Sequence, residues 1–175
     1  MTKAEILHLQ TQLSDIYRDY RNICLNKKYY AERLRKTLGY NYWYEIFLAA
    51  GTSGTVAGWA LWQKPGWETV WIVIGAVIAL LTAIKPATNL SGEIERLSTL
   101  ETKFKALQLD FEMLCFDIKT KRGLDKSLIK SYKDIRDKLQ TLGVKEDSAV
   151  PTEVLRRIQH EVEREIPSTS LWAPK

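Results

Sequence analysis

Residues 46–84 read IFLAAGTSGTVAGWALWQ (46–63), KPGWE (64–68) and TVWIVIGAVIALLTAI (69–84). The first block runs for 18 residues without a charge and the last for 16. Pro65-Gly66 forms a turn between them, so the arrangement expected is an antiparallel helix pair. At a rise of about 1.5 Å per residue the two runs reach roughly 27 Å and 24 Å. A bilayer's hydrocarbon core is about 30 Å thick, and local thinning with anchored flanks would close the gap. Neither run shows the polar face of a surface helix. Tyr42, Trp43 and Tyr44 precede the first run, and Trp59, Trp62, Trp67 and Trp71 surround the turn, as amphipathic rings do at a membrane interface. The expectation is an all-α fold, a two-span transmembrane helical hairpin with cytoplasmic, coiled-coil-like helical arms. The competing expectation is a hairpin buried inside a helical bundle in water.

Charge gives the expected hairpin its orientation. The 175-residue chain carries a net charge of +5. Residues 1–42 hold eight Lys/Arg against four acids, residues 43–85 two against two, and residues 86–175 16 against 15. Lys27, Lys28, Arg33, Arg35 and Lys36 lie before the first run, and Lys85, Arg96, Lys103 and Lys105 after the second. Basic residues mark the cytoplasmic side of a span, so the expectation is a membrane protein with both termini cytoplasmic. The first 40 residues are polar and resemble no secretory signal. Cys24 and Cys115 have no metal-ligand spacing and read as small packing residues.

The arms carry helical periodicity. Residues 1–42 form an amphipathic helix with Ile6, Leu9, Leu13, Ile16 and Tyr20 on its seam, continuing to Ile23, Tyr30 and Leu34. Gly39 and Asn41 are candidates for a bend before residues 43–86, whose spans cover about 44–63 and 69–85. Lys85-Pro86 should end or kink the second span. Residues 87–122 then hold a heptad helix with strict three-four spacing at Leu97, Leu100, Phe104, Leu107, Phe111, Leu114 and Ile118. Asn89 or Ser91 is placed to cap it. Arg122-Gly123 breaks the pattern, residues 123–166 form a further helical region, and 167–175 form a tail. The two arm seams can zip together within one chain or between chains.

Small residues recur every four positions in both spans: Ala50, Gly54 and Gly58 in the first, Gly75, Ala79 and Ala83 in the second. Such faces let helix backbones approach closely. They would either pack on each other inside the hairpin or join one subunit to another. Thr52, Ser53 and Thr55 would line a water path if several copies assembled, or bond to their own helix carbonyls. Glu45 and Glu68 would form carboxylate rings in such an assembly, or simply mark the headgroup boundary.

Enzyme chemistry has no foothold in the pattern. His8 and His160 are single and far apart. There is no glycine-rich phosphate loop, no nucleophile elbow and no metal-ligand spacing. No catalytic residue, metal or cofactor is therefore expected. The near-neutral C-terminal arm has no basic stripe for nucleic acid.

Tyr29-Tyr30-Ala31-Glu32-Arg33-Leu34-Arg35-Lys36 leads into the first run, and the second leaves through Ile84-Lys85-Pro86-Ala87-Thr88-Asn89-Leu90-Ser91 before Glu93-Ile94-Glu95-Arg96-Leu97 starts the heptad helix. Over roughly residues 20–120 this resembles the bacterial SLATT domains, two-span proteins associated with second-messenger synthases and SLOG sensors. The resemblance implies a membrane effector of bacterial anti-phage or conflict defence, seated in the bacterial inner (cytoplasmic) membrane. It would oligomerise to form or gate a pore and disrupt the membrane, triggered by a partner or a release from inhibition. The partners expected are the lipid bilayer, further copies of the chain and a cytoplasmic regulatory protein. One alternative is a non-conducting membrane anchor or scaffold that recruits a cytoplasmic partner. Another is a cation channel of the two-span, coiled-coil type, but Trp67-Glu68-Thr69-Val70 lacks the aspartate of the uniporters' Trp-Asp motif.

Overall fold

The computed structural model describes residues 3–62, 68–142, 152–167 and 172–173. Five helices stand in order among them: α1 (Lys3–Trp62), α2 (Glu68–Thr88), α3 (Leu90–Lys121), α4 (Lys126–Thr141) and α5 (Thr152–Glu165). No strand occurs among the described residues.

α1 runs without a break through Gly39 and Asn41, the pair expected to bend it. A single glycine costs a helix only about 1 kcal/mol relative to alanine, too little to break a helix held by contacts before it, Tyr30 on Phe104, and after it, Tyr44 on the Leu81 carbonyl. Pro86 does not stop α2 either, which ends at Thr88. The stop is Asn89, held in the left-handed region at φ 39, a conformation asparagine tolerates better than most residues. Its carbonyl then accepts from the Glu93 N–H at 3.1 Å as α3 begins. At the far end of α3, Lys119 and Lys121 lie in the last turn, where cations suit the negative helix end. Arg122, at φ 48, takes the left-handed position rather than Gly123.

The chain divides into two compact units, residues 1–32 with 98–175 and residues 33–97. In unit 1 the N-terminal half of α1 pairs with α3 inside one chain. Tyr20 stacks on Phe111 with centroids 6.1 Å apart, and Tyr30 stacks on Phe104 at 5.4 Å. The numbering rises on α1 as it falls on α3, so the two run antiparallel. Leu13, Ile16, Ile23, Leu100, Phe104, Leu107, Phe111, Leu114 and Ile118 are buried, as are Leu128 and Ile135 of α4 and Ile158 and Val162 of α5. α4 is fastened by Tyr132, whose hydroxyl donates to Asp19 at 2.7 Å and whose ring meets Phe111 edge-on, and by Lys138 donating to Asp110 at 2.7 Å. α5 is fastened by Lys28, which reaches Glu165 at 2.6 Å and Glu161 at 3.4 Å, and by the Arg157–Glu32 pair.

The expected transmembrane hairpin requires correction. Among the described residues no helix is long and apolar enough to cross a membrane. A span needs about 20 consecutive apolar residues to cover a core of about 30 Å. The uncharged run of α2, Thr69 to Ile84, has only 16, a rise of about 24 Å. The side chains of the first run lie outside the described residues from Thr52 onward. The all-α class stands, with its helices arranged as two compact units rather than as two spans with arms. The inner-membrane placement with both termini cytoplasmic, and the description as a two-span membrane protein, rested on those spans and are withdrawn with them.

Candidate functional site

Unit 2 is the helix pair made by the later part of α1, α2 and the start of α3. At its base Arg33 donates to Glu93 at 2.9 Å, and Arg96 holds the same carboxylate at 2.8 Å. Two cations on one half-buried carboxylate leave no net negative charge there. Further along, the Tyr44 hydroxyl donates to the Leu81 carbonyl. Ile78 covers Gly51, where a Cβ would come within 2.5 Å of the Ile78 Cδ1. The contacts 44 with 81 and 51 with 78 make this pair antiparallel and identify which face of α2 it consumes.

The rest of that surface is apolar and open. Trp43 is 60% exposed, Phe47 61% and Ile72 66%. Leu38, Tyr42, Ile46, Val70, Val73, Ile74, Val77, Leu80 and Ile84 are exposed as well. Soluble monomers rarely leave contiguous apolar patches beyond a few hundred Å² uncovered. In unit 1 most large apolar side chains lie inside, with Leu7, Leu109, Met113 and Phe116 as exposed exceptions.

The small-residue stripe of α2 belongs to this open surface. Gly75, Ala79 and Ala83 are all exposed, and a Cβ built on Gly75 meets nothing within 4 Å. The intra-hairpin contact uses Gly51, Ile78 and Leu81 instead. Ala50 of the first stripe is exposed, while the side chains of Gly54 and Gly58 lie outside the described residues. So do those of Thr52, Ser53, Thr55 and Glu68, the candidate pore-lining and outer-ring residues. Glu45 is exposed on α1. Of the arm seams, Ile6 and Leu9 are half-buried, while Leu13, Ile16, Tyr20, Leu97, Leu100, Phe104, Leu107, Phe111, Leu114 and Ile118 are buried.

One feature of α3 lies outside the expected seam. Leu109, Met113 and Phe116 form a second apolar row, at 55%, 70% and 68% exposure. Their spacing of four and three is a helical signal of the same kind as the seam, hidden beside a longer row.

The thiols are shielded. Burial pushes Cys24 up to about 11 and Cys115 up to about 12. Both are protonated near neutral pH, when only a thiolate would attack or bind a metal. Burial also pushes Tyr17 up to about 12, and Tyr132 likewise, the latter aided by its bond to Asp19. Among the described residues no group of three His, Cys, Asp or Glu gathers as a metal set would.

Comparison of the chain with protein families, with characterised proteins and with solved structures finds no match. The SLATT resemblance therefore stands on the residues quoted for it alone.

Proposed function

We propose that this chain is a non-catalytic, self-assembling helical module, in which unit 1 is the folded body and the apolar surface of unit 2 is the surface through which copies join. The observation that carries this reading is the uncovered apolar surface of α1 and α2, continuous with an open stripe at Gly75, Ala79 and Ala83. Large apolar side chains alone would suit many partners. A stripe without Cβ bulk, placed outward rather than into its own hairpin, suits the close approach of another helix backbone. A second copy offers a matching helix with the same stripe, and closed symmetric assemblies of like chains are the commonest solution for such a face. Under the SLATT resemblance, assembly would be the effector step of a bacterial conflict response, released by a regulatory partner.

The test is the mass of the full chain in solution across a concentration series, by sedimentation or mass photometry. Wild-type chain should form one defined oligomer. Gly75→Leu adds bulk where the single chain has open space, so its helicity and melting should be kept while its assembly weakens at least about tenfold, or about 1.4 kcal/mol. A monomer at every concentration, or Gly75→Leu assembling as well as wild type, would rule the reading out.

A further inference from the structure

Unit 1 contains a half-open cleft of about 690 Å³ lined by α1, α5 and Trp172. That volume lies within the range of sites for small organic ligands, about 300–1,000 Å³. The chemistry of the cleft is mixed in the way ligand sites are. Leu13 and Val162 form an apolar floor, and the main chain of Trp172 is pinned by the Tyr17 hydroxyl, which donates to its carbonyl at 2.8 Å. Arg21 and Arg18 stand along one wall, with Glu163 across from them.

Arg21 is the decisive group. Its Nη2 donates to the Ile166 carbonyl at 3.0 Å, which ties α1 to the end of α5. Its Nε is buried and has no hydrogen-bond partner among the described residues. A buried donor left unmade costs about 1–3 kcal/mol, and more on a charged group. The Nε–H and the second Nη2–H form the side-on fork that matches a carboxylate. Arg21 lines the cleft, and its unmade donor is the group that a carboxylate entering there would satisfy.

We infer that this cleft binds a small amphipathic monoanion, an organic acid with its carboxylate on Arg21 and an apolar or aromatic body against Leu13, Val162 and Trp172. The charges facing it limit the ligand to one negative charge. Arg18 already pairs with Asp15 at 2.9 Å. Glu163, which accepts from Gln159 at 3.1 Å and lies 3.9 Å from His160, would repel a second anionic group. The site is separate from the assembly surface of unit 2, and neither reading depends on the other.

Calorimetric titration of the full chain with phenylpropionate, and with phenylpropanol as its neutral analogue, tests the inference. The acid should bind saturably with one site per chain. The alcohol should bind at least about tenfold more weakly, the factor equivalent to about 1.4 kcal/mol. Arg21→Gln should remove that preference and leave the alcohol's affinity unchanged. Asn22, exposed on the cleft wall, permits a second variant: Asn22→Trp fills the mouth and should abolish binding of the acid with the fold intact. The inference is overturned by absence of saturable acid binding, by equal affinity for acid and alcohol, or by full acid affinity in Arg21→Gln. If Arg21→Gln does not fold, undiminished acid binding to Asn22→Trp overturns it.

Discussion

The two units use apolar residues in opposite ways. In unit 1 the large side chains of α1 and α3 face each other, and Phe104 is 1% exposed. In unit 2 the large side chains of α1 and α2 face outward, and Phe47, on the same helix as Tyr20 and Ile23, is 61% exposed. The difference lies in what stands between the apolar positions. On α3 Lys, Glu, Asp and Gln stand between most of them, so the main apolar face is outlined and buried, with Leu109, Met113 and Phe116 left as a shorter exposed row beside it. On α2 nearly every position is apolar, and one neighbouring helix covers only one face. A helix apolar on all sides is not covered by one neighbour, and this is the contrast on which the proposed assembly through unit 2 rests.

The largest effect expected is therefore an asymmetry between two identical substitutions. Phe104→Ala removes a buried ring that stacks on Tyr30 and should destabilise unit 1 by about 3–5 kcal/mol. Phe47→Ala removes an exposed ring and should change the stability of the isolated chain by less than about 0.5 kcal/mol. Chemical denaturation of both variants, at protein concentrations below assembly, measures the contrast. If copies join through this surface as proposed, Phe47→Ala should instead show its cost as concentration rises, because assembly would cover its ring. Equal losses in the two variants at low concentration would end the distinction between the units.

A smaller effect belongs to the face of α2 that carries Ile78 and Leu81 and packs on α1. Gly51 has no room for a side chain beneath Ile78, so Gly51→Val should overpack the pair and cost about 1–3 kcal/mol. The obstructing atoms are the flexible end of one side chain, which makes the effect reversible. Adding Ile78→Ala should recover most of the loss, and a double-mutant cycle monitored by hydrogen exchange of α2 gives the coupling. Independent, additive losses would mean that Gly51 and Ile78 are not in contact, and the antiparallel register of the hairpin would have to be redrawn.

How much of this could be read from the chain differs between the units for a physical reason. The seams at Leu13, Ile16 and Tyr20 and from Leu97 to Ile118 are legible because charged neighbours outline them at three-four spacing. α4 and α5 are legible on the same ground, through Leu128 and Ile135 and through Ile158 and Val162. Within the runs 46–63 and 69–84 no charge outlines a face. Uncharged length alone suggests two spans there, although 16 residues on α2 fall short of a bilayer's thickness. The direction of the Gly75, Ala79 and Ala83 stripe is equally silent, since a four-residue repeat is the same whether it points inward or outward. The cleft is the least legible feature. Tyr17 and Arg21 meet main-chain carbonyls 155 and 145 residues away, and the Arg157–Glu32 pair spans 125, distances over which no local pattern reaches.

The smallest effect concerns the start of α4, where unit 1 depends on polar rather than apolar contacts. Asp125 caps that helix: its carboxylate accepts from Lys121 at 2.8 Å, from the Ser127 hydroxyl at 2.7 Å and from the Leu128 N–H at 2.8 Å. These bonds, that from Lys121 first, hold its carboxyl well below the usual carboxylate range. A group depressed in the folded state stabilises at pH values above its unfolded pKa, about 4. That contribution is lost as pH falls through the folded value. Asp125→Ala should thus lower the melting temperature slightly near neutral pH, and the gap from wild type should close as acid protonates the carboxylate. Added salt should narrow the gap too, because the Lys121–Asp125 pair lies about half-exposed to water. A gap that stays constant from neutral pH to about pH 2 would show that the cap acts through shape alone and not through the charge of Asp125.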